Sequence, residues 1–216
     1  MGLTSELRWF YPGAPPEAIA HWFKTQCPQQ GPVNPETRDD LYLFTPDCDY
    51  LNIKWRQDRL EIKWRQSEWG EVQFGDCLSG NLETWQKCVC EELTAAMPED
   101  AEAKGTWVRV RKRRSQRFYQ VQDTTIEPMG GDRQGSIGCS LELTQLAIGH
   151  QPWWSLALEA YGPPDTLIHT LKATATVLSA SYPREFPLTP AASFAYPHWL
   201  QQVLQGNGEG CRGRND

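Results

Sequence analysis

Apolar and charged residues alternate strictly along residues 50–66, YLNIKWRQDRLEIKWRQ. A period of two is typical of a β-strand, because successive side chains of a strand point to opposite faces of the sheet. We predict a hairpin that turns at residues 57 and 58, because that register matches both faces at once. It pairs Leu51 with Trp64, Ile53 with Ile62, Trp55 with Leu60, Lys54 with Glu61 and Asn52 with Lys63.

Further alternating segments predict further strands, most of them joined by short turns. They are residues 5–11, 41–44 and 106–121, and the pair 139–148 and 153–162. Residues 81–97 fit two structures. Leu82, Trp85, Val89 and Leu93 have helical spacing, whereas the first half of the segment fits a strand equally well.

Two segments have the apolar spacing of amphipathic helices, and a third is short. They are residues 15–27, which open on a Pro-Pro pair, residues 165–182, and residues 199–204. About eight strands and two or three helices predict the α+β class. Most of these strands are joined by hairpins, so we expect one antiparallel sheet, wide enough to close or nearly close into a barrel. Residues 1–205 would form one domain and residues 206–216 a flexible C-terminal tail.

Composition narrows the class without naming a function. The chain has 216 residues, of which 39% are apolar and 22% charged, as expected of a globular protein. A net charge of -6 argues against a general nucleic-acid binder. No apolar run reaches membrane-spanning length, the N-terminus lacks an apolar signal core, and the seven cysteines lack disulfide-framework spacing. We therefore expect a cytoplasmic protein with no membrane partner and reduced thiols.

The order of the elements resembles that of the CYTH superfamily, the triphosphate tunnel metalloenzymes, over residues 5–182. The order is a strand with Glu6 and Arg8, a helix, a strand, a basic hairpin, a basic strand, an acidic hairpin and a helix. This resemblance implies an antiparallel eight-stranded barrel, closed or nearly closed, with helices packed outside. It also implies that basic residues inside this tunnel grip a triphosphate and that acidic residues hold a divalent metal. The chain departs from the family's Glu-x-Glu-x-Lys motif, which reads Thr4, Glu6, Arg8 here, and a later Glu-x-Glu reads Ala157 and Glu159.

If the charged faces of these strands turn inward, many cations converge on one space and require anions. The candidate anion-binding residues are Arg8, Lys54, Arg56, Lys63, Arg65, Arg109, Arg111 and Arg113. The phase of the basic strand stays open, because Lys112 and Arg114 would instead face inward in the other phase, and the family's Lys-x-Arg pattern matches those two. The candidate ligands of Mg²⁺ or Mn²⁺ are Glu6, Glu142 and Glu159.

Several functions remain open at this point. The first is binding of a phosphorylated small molecule or polyphosphate, with or without catalysis. The second is an active, metal-dependent triphosphate hydrolase or phosphoryl-transfer enzyme. The third is a barrel for an apolar ligand or chromophore, lined by tryptophans, and the fourth is RNA binding through the basic strands. The same alternation also describes a half-buried sheet with an apolar core and charged residues in water.

Overall fold

The computed structural model describes residues 2–27, 33–57, 59–90, 106–129 and 137–206. Over these residues the chain forms nine strands, three α-helices and two short helices of other types. They are β1 (Gly2–Pro12), α1 (Glu17–His21) continued by a π-helix (Trp22–Gln26), β2 (Glu36–Leu43), β3 (Leu51–Arg56), β4 (Arg59–Phe74), β5 (Leu78–Cys90), β6 (Trp107–Gln122), β7 (Thr125–Met129), β8 (Gly138–Ile148), β9 (Gln151–Tyr161), α2 (Leu167–Ser179), a 3-10 helix (Pro190–Ala192) and α3 (Tyr196–Gln205).

Eight of the described strands close into an antiparallel barrel. They run in the order β2-β3-β4-β5-β1-β9-β8-β6, and a β2–β6 pairing closes the ring. Strand β7 pairs with the second half of β6 and adds a ninth strand outside the ring. The predicted α+β class and closed eight-stranded barrel are therefore confirmed.

The basic hairpin forms in the register that alternation predicts. Strands β3 and β4 pair Ile53 with Ile62 and Lys54 with Glu61, and Gln57 takes a positive φ of 50° at the turn. The ambiguous segment 81–97 begins as strand β5, so a helix over its first half is wrong, and residues 91–97 lie outside the described residues. Strand pairing explains the outcome, because β5 forms ladders with both β4 and β1.

Helices α1 and α2 cover one side of the barrel. The larger core cluster joins outward residues of β1, such as Leu7 and Trp9, to Trp22 of the π-helix and Leu171 of α2. Trp55 and Trp64, which the apolar helix stripes were expected to cover, belong to neither buried core cluster. They lie on the opposite side of the barrel and are partly exposed.

Helix α3 closes one end of the barrel. Four strands turn an apolar residue inward at this end: Phe10, Tyr42, Val110 and Leu146. They pack against α3, whose Trp199 ring stacks on Phe10 with 5.3 Å between the centroids. The sequence predicts only residues 199–204 of this helix, whereas it begins at Tyr196. Because aromatic and aliphatic side chains fill this end, the charged part of the barrel interior opens at the other end.

Two further sequence-based expectations concern the chain ends and membranes. The flexible tail predicted for residues 206–216 lies, except for Gly206, outside the described residues. Among the described helices, none has both the length and the apolar character that a membrane crossing requires.

Candidate anion-binding site in the barrel lumen

The lumen, meaning the space enclosed by the eight strands, holds a cavity of about 1060 Å³. Among the described residues, eight cationic side chains and four carboxylates line it. The cations are Arg8, Arg38, Lys54, Arg56, Lys63, Lys87, Lys112 and Arg114, and the carboxylates are Glu6, Glu61, Glu142 and Glu159. The carboxylates of Asp40 and Glu36 also form ion pairs with lumen cations, so eight cations meet six carboxylates. The remaining excess of positive charge in a partly dehydrated space favours an anionic ligand.

The structure brings together seven of the predicted site residues and separates four. Arg8, Lys54, Arg56 and Lys63 line the lumen with Glu6, Glu142 and Glu159. Arg65 instead lines a smaller cavity of about 370 Å³, where its guanidinium contacts Asp49, Glu68 and Glu83. Arg109, Arg111 and Arg113 lie on the outer surface of the barrel.

The expected inward phase of β6 is therefore wrong. The Arg109 and Arg111 side chains are 51% and 73% exposed, whereas Lys112 is buried and lines the lumen with Arg114. The physical reason lies at the closed end of the barrel. Val110 enters the core beneath α3, so the residues two and four positions later share its inward face.

Sequence reasoning also missed two residues at the start of β2. The strand was predicted from residue 41, but it begins at Glu36 and turns Arg38 and Asp40 inward. The side chain of Asp40 is fully buried, and its carboxylate lies 3.0 Å from Arg38, 3.3 Å from Lys112 and 3.4 Å from Lys54. The alternation in ETRDDLYL was the available signal for a longer strand.

An ion pair lies beside Ala157, which occupies the first position of the later Glu-x-Glu expected from the sequence. Arg8 on β1 and Glu142 on β8 both lie opposite Ala157 of the intervening strand β9. The small Ala157 side chain leaves room above it, and the Arg8 guanidinium contacts the Glu142 carboxylate at 2.9 Å. Arg114 lies 3.5 Å from the same carboxylate. The departure from the motif thus coincides with a carboxylate that is already neutralised by two arginines.

Burial and neighbouring charge act in opposite directions on the pKa values in the lumen. Burial raises the pKa of Glu142, but Arg8, Arg114 and Lys112 outweigh it and bring the value down to about 2. Burial lowers the pKa of Lys112 to about 8, against the attraction of Asp40. The charge of Lys112 therefore changes closer to neutral pH than that of an ordinary lysine.

The three predicted metal ligands do not form one donor set. Glu6 and Glu159 lie opposite each other on β1 and β9, and the Lys63 ammonium contacts both carboxylates. Glu142 is held by arginines, as described above. Among the described residues, no group of three His, Cys, Asp or Glu side chains is placed to hold a metal ion. The arrangement suits charge neutralisation of an anion better than chelation of Mg²⁺ or Mn²⁺.

Comparison with known proteins adds little to this geometry. No protein-family model matches the chain, and no curated protein matches it in sequence. The chain is similar in structure to the PH1819 protein from Pyrococcus horikoshii OT3, with 11% sequence identity and a TM-score of 0.45. The match covers 94% of this chain and 99% of that one. A similarity of this degree assigns neither a family, a ligand nor a reaction.

Proposed function

We propose that the protein binds a phosphorylated anionic ligand of the triphosphate or polyphosphate type inside the barrel lumen. The observation that carries the proposal is the convergence of eight cations from six strands on one cavity. Arginine contacts phosphate oxygens through two parallel hydrogen bonds, and lysine supplies a compact charge. At about 1060 Å³ the cavity is larger than a single phosphate group needs, which favours a ligand with several charged groups.

The charged lining also separates this proposal from the alternatives. An apolar ligand or chromophore would place an apolar surface against this charged lining, which is unfavourable, and Trp55 and Trp64 lie on the outer face of the barrel. We assign no chemical step to a metal ion, because Lys63 and the arginines already contact the predicted metal ligands. The alternative that the protein is a hydrolase can be tested directly. Orthophosphate release from tripolyphosphate that depends on Mg²⁺ or Mn²⁺ would favour it over binding alone.

Neighbouring residues on β6 provide a matched test of the lumen. Arg114 lines the cavity, whereas Arg113 is exposed on the outside. We expect Arg114→Ala to weaken tripolyphosphate binding by about 10-fold to 100-fold, since a hydrogen bond to a charged group contributes about 1.5–3 kcal/mol. Arg113→Ala should leave the affinity within about 2-fold. Isothermal titration calorimetry at fixed ionic strength measures both.

Equal affinities for the two variants would reject the lumen as the binding site. Absence of any binding to the unaltered protein at millimolar tripolyphosphate would reject the proposed ligand class. Thermal unfolding in the absence of ligand confirms that each variant is folded before its titration is interpreted.

A second prediction concerns pH. Because burial lowers the pKa of Lys112 to about 8, this lysine loses its charge as the pH rises from 7 to 9, and the lumen becomes less positive. The groups that face it are Arg8, Arg38, Asp40, Tyr42, Lys54, Glu142 and Tyr196. We expect tripolyphosphate affinity to fall several-fold over that range in the unaltered protein relative to Lys112→Arg, which stays charged. The titration of the ligand itself affects both proteins equally. Parallel pH profiles for the two proteins would therefore contradict the role of Lys112 in the pH dependence.

A further inference from the structure

Two lysines and an arginine share one buried carboxylate in the lumen. Oδ2 of Asp40 lies 3.3 Å from Nζ of Lys112 and 3.4 Å from Nζ of Lys54. The other oxygen of Asp40 lies 3.0 Å from the Arg38 guanidinium. Cations that crowd one carboxylate favour the loss of a proton from one of them, and arginine does not lose its proton in proteins. The group that can become neutral is therefore a lysine.

Lys112 differs from the other lysines of the lumen in its carboxylate partners. Each of the others contacts at least one glutamate, which stabilises its charged form: Lys54 and Lys87 contact Glu61, and Lys63 contacts Glu6 and Glu159. In the described part of the chain, the shared carboxylate of Asp40 is the only one within ion-pair distance of Lys112. Lys112 is thus the lumen lysine whose ammonium form has the least local compensation.

The amine of Lys112 lies where the aromatic end of the barrel meets the charged lumen. Its Nζ is 3.9 Å from the ring centroid of Tyr196 and 4.8 Å from that of Tyr42, and both rings belong to the end that α3 fills. The side chain is 3% exposed and lines the lumen cavity. A molecule bound in the lumen would therefore meet this amine at the inner end of the cavity.

Burial among these rings makes Lys112 a nucleophile near neutral pH. Burial lowers the pKa of Lys112 to about 8, against the attraction of Asp40 and Glu142. Only the neutral form of an amine attacks a carbonyl carbon, and desolvation beside another cation is a known means of activating a lysine. The lowered pKa adds to the geometry, which already places the amine in a cavity.

The Tyr42 hydroxyl lies 2.5 Å from Nζ of Lys112 and accepts a hydrogen bond from its ammonium group. Burial raises the pKa of Tyr42 well above its usual value, so the hydroxyl keeps its proton. A protonated hydroxyl can accept from an ammonium group and donate to a neutral amine. Lys112 therefore retains a hydrogen-bond partner in both protonation states.

We propose that Lys112 forms a reversible imine with a phosphorylated aldehyde or ketone bound in the lumen. The proposal rests on the proposed function, because the lumen arginines would hold the phosphate group. Nζ bonds to the carbonyl carbon, and the carbonyl oxygen leaves as water. The Tyr42 hydroxyl donates a proton to the departing hydroxyl group and takes one from the nitrogen, so that the step needs no further reactant.

Two aldehydes that differ by one phosphate group test the proposal on the full-length protein. The probe is pyridoxal 5'-phosphate, and the comparison compound is pyridoxal. Absorbance reports the imine, borohydride reduction makes it permanent, and mass spectrometry of peptides locates the label. We expect one label per chain, on Lys112. It should form at least 10-fold faster with the phosphorylated aldehyde than with pyridoxal, and faster than labels on the exposed Lys24 and Lys172.

Three variants separate the nucleophile from the phosphate-binding residues. Lys112→Arg keeps the positive charge but has no nucleophilic amine, so it should abolish the imine absorbance. Arg114→Ala should slow the phosphorylated probe at least 5-fold and leave the rate with pyridoxal unchanged, because Arg114 lines the cavity. Arg113→Ala is the matched control, since Arg113 is exposed on the outside, and should label at the unaltered rate. If Lys112→Arg does not fold, the label position in the unaltered protein decides.

Three results would overturn the imine proposal. They are a label on Lys54 rather than Lys112, equal labelling of Lys112 and the exposed lysines, and equal rates with the two aldehydes. The proposal and the proposed function fail in distinguishable ways. Tripolyphosphate binding by calorimetry without a label on Lys112 would reject the imine alone. A phosphate-dependent label on Lys112 without tripolyphosphate binding would reject the triphosphate ligand class and leave the imine.

Discussion

Replacing Glu142 with glutamine is expected to lower the stability of the protein and raise its affinity for tripolyphosphate at the same time. The Glu142 carboxylate contacts Arg8 at 2.9 Å and Arg114 at 3.5 Å in the closed interior of the barrel. Removing one partner from a buried ion pair costs about 3–5 kcal/mol, because the remaining charges lose their compensation. The same two arginines then become available to phosphate oxygens, so we expect binding to tighten about 10-fold.

Acid pH provides an independent check on this interpretation. The pKa of Glu142 falls from a usual value of 4.5 to about 2 in the folded protein, so its contribution to stability is complete above pH 4.5. The contribution is lost as the pH falls from 4.5 towards 2. The difference in unfolding free energy between the unaltered protein and Glu142→Gln should therefore shrink over that range.

Urea denaturation at a series of pH values measures the stability difference, and calorimetry measures the affinity. Glu127→Gln is the matched control, because Glu127 is an exposed glutamate on β7 away from the lumen. It should change the stability by no more than about 0.5 kcal/mol. If Glu142→Gln binds tripolyphosphate more weakly than the unaltered protein does, the two arginines do not form part of the anion site.

The second large effect is expected at Arg117, which is 1% exposed and lies outside the lumen. Its Nε donates to the carbonyl of Phe23 at 2.8 Å, and its Nη2 donates to the carbonyl of Lys24 at 2.9 Å. Both carbonyls belong to the five-residue π-helix that follows α1, in which Phe23 and Lys24 are the second and third residues. We expect Arg117→Ala to lower the free energy of unfolding by about 3 kcal/mol, since it removes a buried side chain and leaves two carbonyls without these donors.

Urea denaturation and amide hydrogen exchange over residues 17–26 measure this effect. Arg113→Ala on the same strand is the control and should be nearly neutral, because Arg113 is exposed. Arg117→Met fills most of the volume without donating hydrogen bonds. If Arg117→Met were as stable as the unaltered protein, the contribution of Arg117 to stability would come from the packing of its side chain. Its hydrogen bonds to the π-helix carbonyls would then contribute little.

Strict alternation made the basic hairpin predictable to the level of residue pairs. Lys54 and Lys63 lie in the lumen as expected, because a single register satisfied both faces of β3 and β4. The number of strands and the hairpins that join most of them indicated one antiparallel sheet, wide enough to close or nearly close, and the family resemblance indicated the eight-stranded barrel. These are local properties of the sequence, and tertiary packing did not change them.

The inward face of strand β6 could not be predicted from the local sequence pattern. Its inward face begins apolar, with Val110 beneath α3, and becomes charged at Lys112. The sequence of β6 does not indicate which end of the barrel α3 fills, because this helix lies about 90 residues later in the chain. The same dependence explains why Arg109, Arg111 and Arg113 were expected inside the barrel, since their alternation with valine matched that of the hairpin.

The helix that fills one end of the barrel restricts what can enter it. Phe10, Tyr42, Val110 and Leu146 meet Trp199 there, so no strand-like chain can thread through from one side to the other. A long polyanion would reach the deepest arginines only with its terminal groups. The selectivity of such a pocket would depend on the terminal groups of a polymer rather than on its length. The middle of the polymer would remain outside the barrel.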